Sequence, residues 1–184
     1  MMSHDVPGAC PTSSLFVVMS SATSAGVGIV VRSRDGLVLV ADRLGDAAPS
    51  PALPGGKVEA KETFEACAIR ELAEETGLAM DGATVRSFGC TLVPGWVVVG
   101  VGGEIDAPAS EITPRELEPG KVAKFRWIDP GDPPADLYPA SRALLELYIN
   151  GDHHLREVSD VEVRGDDLRV AYEHARHYID QSGA

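Results

Sequence analysis

Between Gly56 and Leu78 the chain places Glu62 and then the run Arg70-Glu71-Leu72-Ala73-Glu74-Glu75-Thr76-Gly77-Leu78. These residue types are suited to holding a divalent cation and phosphate. Residues 62–76 contain no Gly or Pro and are rich in Glu, Ala, Leu and Arg, which favours a helix of about four turns. Gly77 sits where a left-handed C-terminal residue is expected. Phe64, Ala68, Ile69 and Leu72 recur at helical spacing and are expected to face a core, with Glu71, Glu74 and Glu75 sharing the adjoining face. Two carboxylates ~6 Å apart at an effective dielectric near 20 repel by roughly 3 kcal/mol, so such a cluster calls for a cation or for protonation. Mg²⁺ suits it, because it keeps several waters and joins one or two carboxylates to phosphate oxygens.

The preceding Leu53-Pro54-Gly55-Gly56 is a turn in which two successive residues lack Cβ, so its backbone can approach a ligand closely. The Gly56 carbonyl is therefore a candidate to complete a metal shell with Glu71, Glu74 and Glu75. Arg70 cannot deprotonate, and its planar fork suits steering a neighbouring carboxylate. An acidic helix with Arg or Lys partners is ordinarily only a solvated surface. The complete spacing is what argues for more here.

Residues 56–78 match the Nudix box, G-x5-E-x7-R-E-U-x-E-E-x-G-U with U aliphatic, at every fixed position. On this motif, and on the order of elements around it, the chain resembles the Nudix hydrolase family. That resemblance implies an α/β fold, an α/β/α sandwich with a mixed sheet between the box helix and a second helix. It also implies Mg²⁺- or Mn²⁺-dependent hydrolysis of a nucleoside diphosphate linked to another moiety. Arg43 lies where related proteins often carry an arginine near substrate; with Lys57 it is a substrate-binding candidate. Pro51 stands where many relatives place a tryptophan.

Glu118-Pro119-Gly120-Lys121, Phe125-Arg126-Trp127 and Asp136-Leu137-Tyr138-Pro139 resemble a succession found in MutT-like nucleoside triphosphate diphosphatases. The resemblance implies nucleoside monophosphate and pyrophosphate as products and a further glutamate, in the loop before the strand that carries Phe125-Arg126-Trp127, that adds a metal ligand, a place that Glu116 or Glu118 could fill. Glu71 is the first choice as general base, with Glu116 and Glu118 behind it, and Arg70 completes the catalytic candidates. An ADP-ribose or nucleotide-sugar hydrolase is the alternative, because Pro94 lies 16 residues beyond Leu78, close to where that subfamily carries a proline. A non-catalytic nucleotide sensor is a second alternative; such modules commonly lose box glutamates, and this chain keeps them.

Around the motif, residues 27–31 and 37–40 flank a Ser-Arg-Asp-Gly turn and read as a hairpin. Residues 49–51 read as a turn-rich link. Residues 83–93, 96–105 and 122–128 read as strands, and 139–149 as an amphipathic helix that covers the sheet face opposite the box helix. The domain is expected over residues 26–150, with a flexible extension at 1–25. A C-terminal extension over 151–184, holding a hairpin at 158–170 and a helix at 171–180, is expected to pack on the domain, as a simple C-terminal cap or as a candidate for homodimer contacts.

The chain of 184 residues is 44% hydrophobic, enough for one domain with a proper core. Its net charge of −12 argues against polymeric nucleic acid or an anionic membrane as partner, while a small nucleotide carried with Mg²⁺ remains compatible. Cys10, Cys67 and Cys90 show no C-x-x-C spacing, which suggests neither a disulfide framework nor structural zinc and points to a reducing cytoplasm. Cys67 reads as a small buried filler. The apolar run at residues 15–18 is too short for a signal h-region or a span.

Overall fold

The computed structural model describes residues 24–44, 50–93, 95–151 and 155–157. The expected N-terminal extension up to residue 23, Pro49, Pro94 and the hairpin and helix expected over 158–180 lie outside the described residues. β1 (Ser24–Ser33) starts earlier than the expected 27–31, because its whole length pairs in parallel with β5 (Trp96–Ile105), from Ser24 opposite Trp96 to Ser33 opposite Ile105. β2 (Val38–Arg43) follows through the expected turn, with Gly36 at φ 87°, and runs antiparallel to β1.

Residues 50–52 correct the reading of a turn-rich link: Ser50–Ala52 forms β3, antiparallel to β2 with Pro51 opposite Asp42. A proline is tolerated there because β3 ends the sheet. β4 (Arg86–Val93) pairs antiparallel with β5, and β6 (Val122–Ile128) pairs with β2. β7 (Leu155–Glu157) adds in parallel to β4. The strand order is β3-β2-β1-β5-β4-β7, with β6 on β2, so the sheet is mixed as expected.

Period-two alternation divides β1 between two cores. Val27, Ile29 and Val31 meet α1 (Phe64–Thr76), whereas Val30 meets α2 (Pro139–Asn150) on the other face. On that second face Gly28 leaves room for Leu144, whose Cδ1 would lie 2.6 Å from a Cβ at this position. The two helices therefore enclose the sheet as a sandwich. No helix among the described residues is long and apolar enough to cross a membrane.

α1 begins two residues later than the sequence suggested, because Thr63 caps it: its Oγ1 accepts from Ala66 N at 3.1 Å. Glu62 thus precedes the helix. Cys67, Ala68 and Leu72 are fully buried, while Ile69, expected in the core, is exposed. One position is about 100° of helical rotation, enough to carry Ile69 off the stripe led by Ala68 and Leu72. Thr63→Ala is expected to cost about 1 kcal/mol of stability, the usual loss of an N-cap, measured as a lowered urea midpoint with unchanged slope.

Candidate active site

The loop ahead of α1 is laid along β1 by backbone bonds, Ile29 N to Pro54 O (2.8 Å), Val27 N to Gly56 O (2.9 Å) and Val58 N to Ala25 O (3.0 Å). This fixes two glycines over the helix. Gly55 N donates to Glu75 Oε2 at 3.3 Å, and Gly56 lies so close to the Glu71 carboxyl group that a Cβ there would overlap Cδ and both oxygens. Glu71 and Glu75 therefore converge on the loop from one helical turn apart.

The three acids do not share one face equally. Glu75 continues the buried stripe and is only 4% exposed, whereas the Glu74 side chain is 52% exposed. Burial pushes the Glu75 carboxyl up to about 8, aided by the negative charges of Glu71 and Glu118 and opposed by the Gly55 N–H and Lys121. Among the described residues, no three acidic, histidine or cysteine side chains stand close enough together to form a metal-binding cluster. The carboxyl groups of Glu71 and Glu75 both meet the glycine loop, to which the Gly56 carbonyl belongs. That carbonyl already accepts from Val27 N and keeps a second lone pair.

Arg70 organises the outer side of this arrangement. Its Nε and Nη2 hold both oxygens of Glu62 (2.8 and 2.9 Å), Nη1 reaches Glu71 (2.8 Å) and Glu74 (3.1 Å), and Nη2 also donates to Lys57 O (3.1 Å). The fork holds the Glu62 carboxyl well below the usual range, at about 2. Arg70 thus ties the loop, Glu62 and the helix acids together, an orienting place rather than one facing the cleft. Cys67 lies beneath it, its thiol pushed up to about 12 by burial.

The two later glutamates diverge. Glu116 Oε1 accepts from Lys124 N at 2.6 Å, outside the cluster, while Glu118 lies where its charge bears on Glu75 and is held by Lys121 Nζ at 2.6 Å. Lys121 follows Glu118 through a Pro-Gly turn with Gly120 at φ 95°, closed by Lys121 N to Glu118 O.

A cleft of about 550 Å³ opens from Glu75 and Gly56 across the ends of β1, β2 and α2. Arg43, Lys57 and Lys121 supply positive charge along it. The Arg43 guanidinium lies over the Tyr138 ring, 5.1 Å from its centroid, and Trp96, 37% exposed, forms another part of the lining. Ser141 Oγ accepts from Leu53 N at 3.0 Å and fixes α2 to the glycine loop. Lys121, Tyr138 and Trp96 were absent from the sequence-derived site. Tyr138 had a local signal, since it precedes a helix-starting proline; Trp96 had none. Trp127, by contrast, packs against the α1-side core.

Residues 22–148 match the family model of the NUDIX domain. A MutT NUDIX hydrolase from Burkholderia pseudomallei is similar in structure, with TM-score 0.58 and 27% identity over 68% of this chain and 97% of that one. A NUDIX hydrolase from Nitrosomonas europaea shares the fold, with TM-score 0.57 and 18% identity over 72% and 92% of the two chains. An RNA pyrophosphohydrolase from Zymomonas mobilis is 44% identical over 54 residues, 29% of this chain and 35% of that protein. The match thus spans about a third of the length of that curated relative. With the box helix, its glycine loop and the sandwich around them all matched by a family model that covers most of the chain, the protein belongs to the Nudix family.

Proposed function

We propose that the protein hydrolyses a phosphoanhydride bond in a nucleoside triphosphate or related nucleoside diphosphate derivative, releasing a nucleoside monophosphate and pyrophosphate in an Mg²⁺- or Mn²⁺-dependent reaction. The observation that carries this reading is the convergence of Glu71 and buried Glu75 on Gly55 and Gly56, at the end of a cleft lined by cationic side chains. Carboxylate and carbonyl oxygens are the donors that a hard cation takes, and a buried carboxylate with one N–H partner has coordination to spare. Glu71, Glu75 and the Gly56 carbonyl would hold the ion, with Glu74 and Glu118 at its margin. When bound, such an ion neutralises the diphosphate and acidifies water.

The chain's own groups supply the rest. Arg70 engages Oε1 of Glu71, and Oε2 carries no hydrogen bond among the described residues, which supports Glu71 as the group that accepts a proton from attacking water. Glu118 is the next candidate base; the bond to Lys124 N argues against Glu116. Arg43, Lys57 and Lys121 would take phosphate oxygens. Trp96 and Tyr138 offer aromatic surface to the base, and stacking on such surface is worth about 1–3 kcal/mol. Trp96→Ala is accordingly expected to raise KM about tenfold with kcat within about twofold. An unchanged KM would remove Trp96 from the pocket.

A second reading comes from the RNA pyrophosphohydrolase similarity: the substrate could be a triphosphorylated RNA 5′ end. The net charge of −12 favours the mononucleotide. Incubation with Mg²⁺ and, side by side, dCTP, GTP, ADP-ribose and a 5′-triphosphorylated RNA oligonucleotide tests the proposal. Monophosphate and pyrophosphate from a free triphosphate support it; faster release from the RNA selects the second reading. No product from any of them would leave a nucleotide sensor.

A further inference from the structure

The segment between β5 and β6 is long, and nothing in its local sequence dictates where Glu118 must sit. The structure solves this at the C-terminus of α1. Arg115 N donates to Thr76 O at 2.9 Å and Leu117 N to Glu75 O at 3.1 Å, so alternate N–H groups of an extended segment satisfy carbonyls that the last helical turn leaves open. The side chain of Arg115 follows the same path. A Cβ on Gly77 would meet Nη2, Nε at 2.9 Å and Cζ at 3.0 Å, which means that the guanidinium lies directly against the Gly77 Cα. It does so where the helix dipole is negative, and Arg115 makes no ion pair with a carboxylate among the described residues. Three residues on is Glu118, next to the Leu117 whose N–H is bonded to Glu75 O, and its carboxylate holds Lys121 Nζ at 2.6 Å, a lysine that lines the cleft together with Glu75.

We propose that Arg115 is a positioning residue: by seating its guanidinium on the side-chain-free surface of Gly77, it sets the register in which the segment crosses the helix end and so delivers Glu118 to Glu75. Gly77 then has two tasks. Its φ of 69° ends the helix, and its missing Cβ provides the seat. Leu117, exposed despite its apolar side chain, contributes through its backbone.

The proposal rests on the reading in which Glu118 serves the metal and substrate site, and its test separates the two. Arg115→Ala, Arg115→Lys, Glu118→Gln and the Arg115→Ala/Glu118→Gln pair are compared in the full chain by Mn²⁺ binding alone, by GTP turnover and by melting temperature. Arg115→Ala should weaken Mn²⁺ binding several-fold and lower kcat about tenfold, with KM for GTP within about twofold. Arg115 is exposed, so the melting temperature should barely move. In the Glu118→Gln background the same substitution should have no further effect, since the group it positions is already gone. Arg115→Lys keeps the cation and loses the plane, so it should remain impaired. Equal losses from Arg115→Ala in both backgrounds, full recovery with Lys, or wild-type Mn²⁺ affinity and kcat in Arg115→Ala would each overturn the positioning role. Wild-type turnover and Mn²⁺ affinity in Glu118→Gln would remove Glu118 from the site, and the proposal with it.

Discussion

Glu75→Gln is expected to lower metal-dependent turnover by at least about 10³-fold while making the metal-free protein more stable at pH 8. The two effects share one cause. Glu75 is 4% exposed and meets a single backbone N–H, so its charge is poorly solvated by the protein alone. Burial raises the carboxyl from 4.5 to about 8. Between those values the folded protein keeps a proton that the unfolded chain has released, so stability falls as pH rises from about 4.5 to about 8 and levels off above. The full penalty is on the order of 3–5 kcal/mol. A neutral Gln escapes it, and its amide oxygen can still accept from Gly55 N.

Metal-free wild-type and Glu75→Gln proteins should therefore melt together near pH 5 and diverge toward pH 8, the variant melting higher. Added Mg²⁺ should narrow the gap by stabilising only the wild type, because an ion that binds the native state alone shifts unfolding by mass action. Parallel melting curves across that range would mean that Glu75 carries no buried charge. Wild-type turnover by the variant at saturating Mg²⁺ would remove Glu75 from the site.

What the sequence disclosed and what it withheld divide along the range of the interactions. The box helix, the hairpin at Gly36 and the strand Val122–Ile128 are written in local periodicity and turn residues, and each is found, the strand at its expected bounds and the helix and hairpin with shifted ends. β3 was read as a link because Ser50–Ala52 becomes a strand only by pairing with β2, and nothing in three residues announces a distant partner. The parallel pairing of β1 with β5 is equally non-local. Helical phase explains the errors on α1. The stripe of Ala68 and Leu72 runs on to Glu75 and Thr76, so a carboxylate that had been grouped with surface neighbours is instead the buried end of the core face. The cleft was the least legible part, since Arg43, Trp96, Lys121 and Tyr138 come from separate parts of the chain.

Adjacent Gly55 and Gly56 should respond to alanine in different ways. A Cβ on Gly55 would strike the carbonyl of Val27, and its φ of 156° adds backbone strain, so Gly55→Ala disrupts the attachment of the loop to β1 and should appear as lost stability. Gly56 is not among the glycines with positive φ, and the three atoms nearest to a Cβ there all belong to the Glu71 carboxyl group. A side-chain end can move where a backbone cannot. Gly56→Ala is thus expected to push Glu71 off its Arg70 contact and lower kcat by about 10²–10³-fold, while costing only about 1–2 kcal/mol of stability. Shortening the displaced group should relieve the overlap. Gly56→Ala/Glu71→Asp should then turn over faster than Gly56→Ala alone, even though Glu71→Asp by itself is slower than wild type. If the double variant were instead slower than either single one, the alanine methyl would be acting on something other than Glu71, and the contact between loop and helix would not be what sets the position of the proposed base.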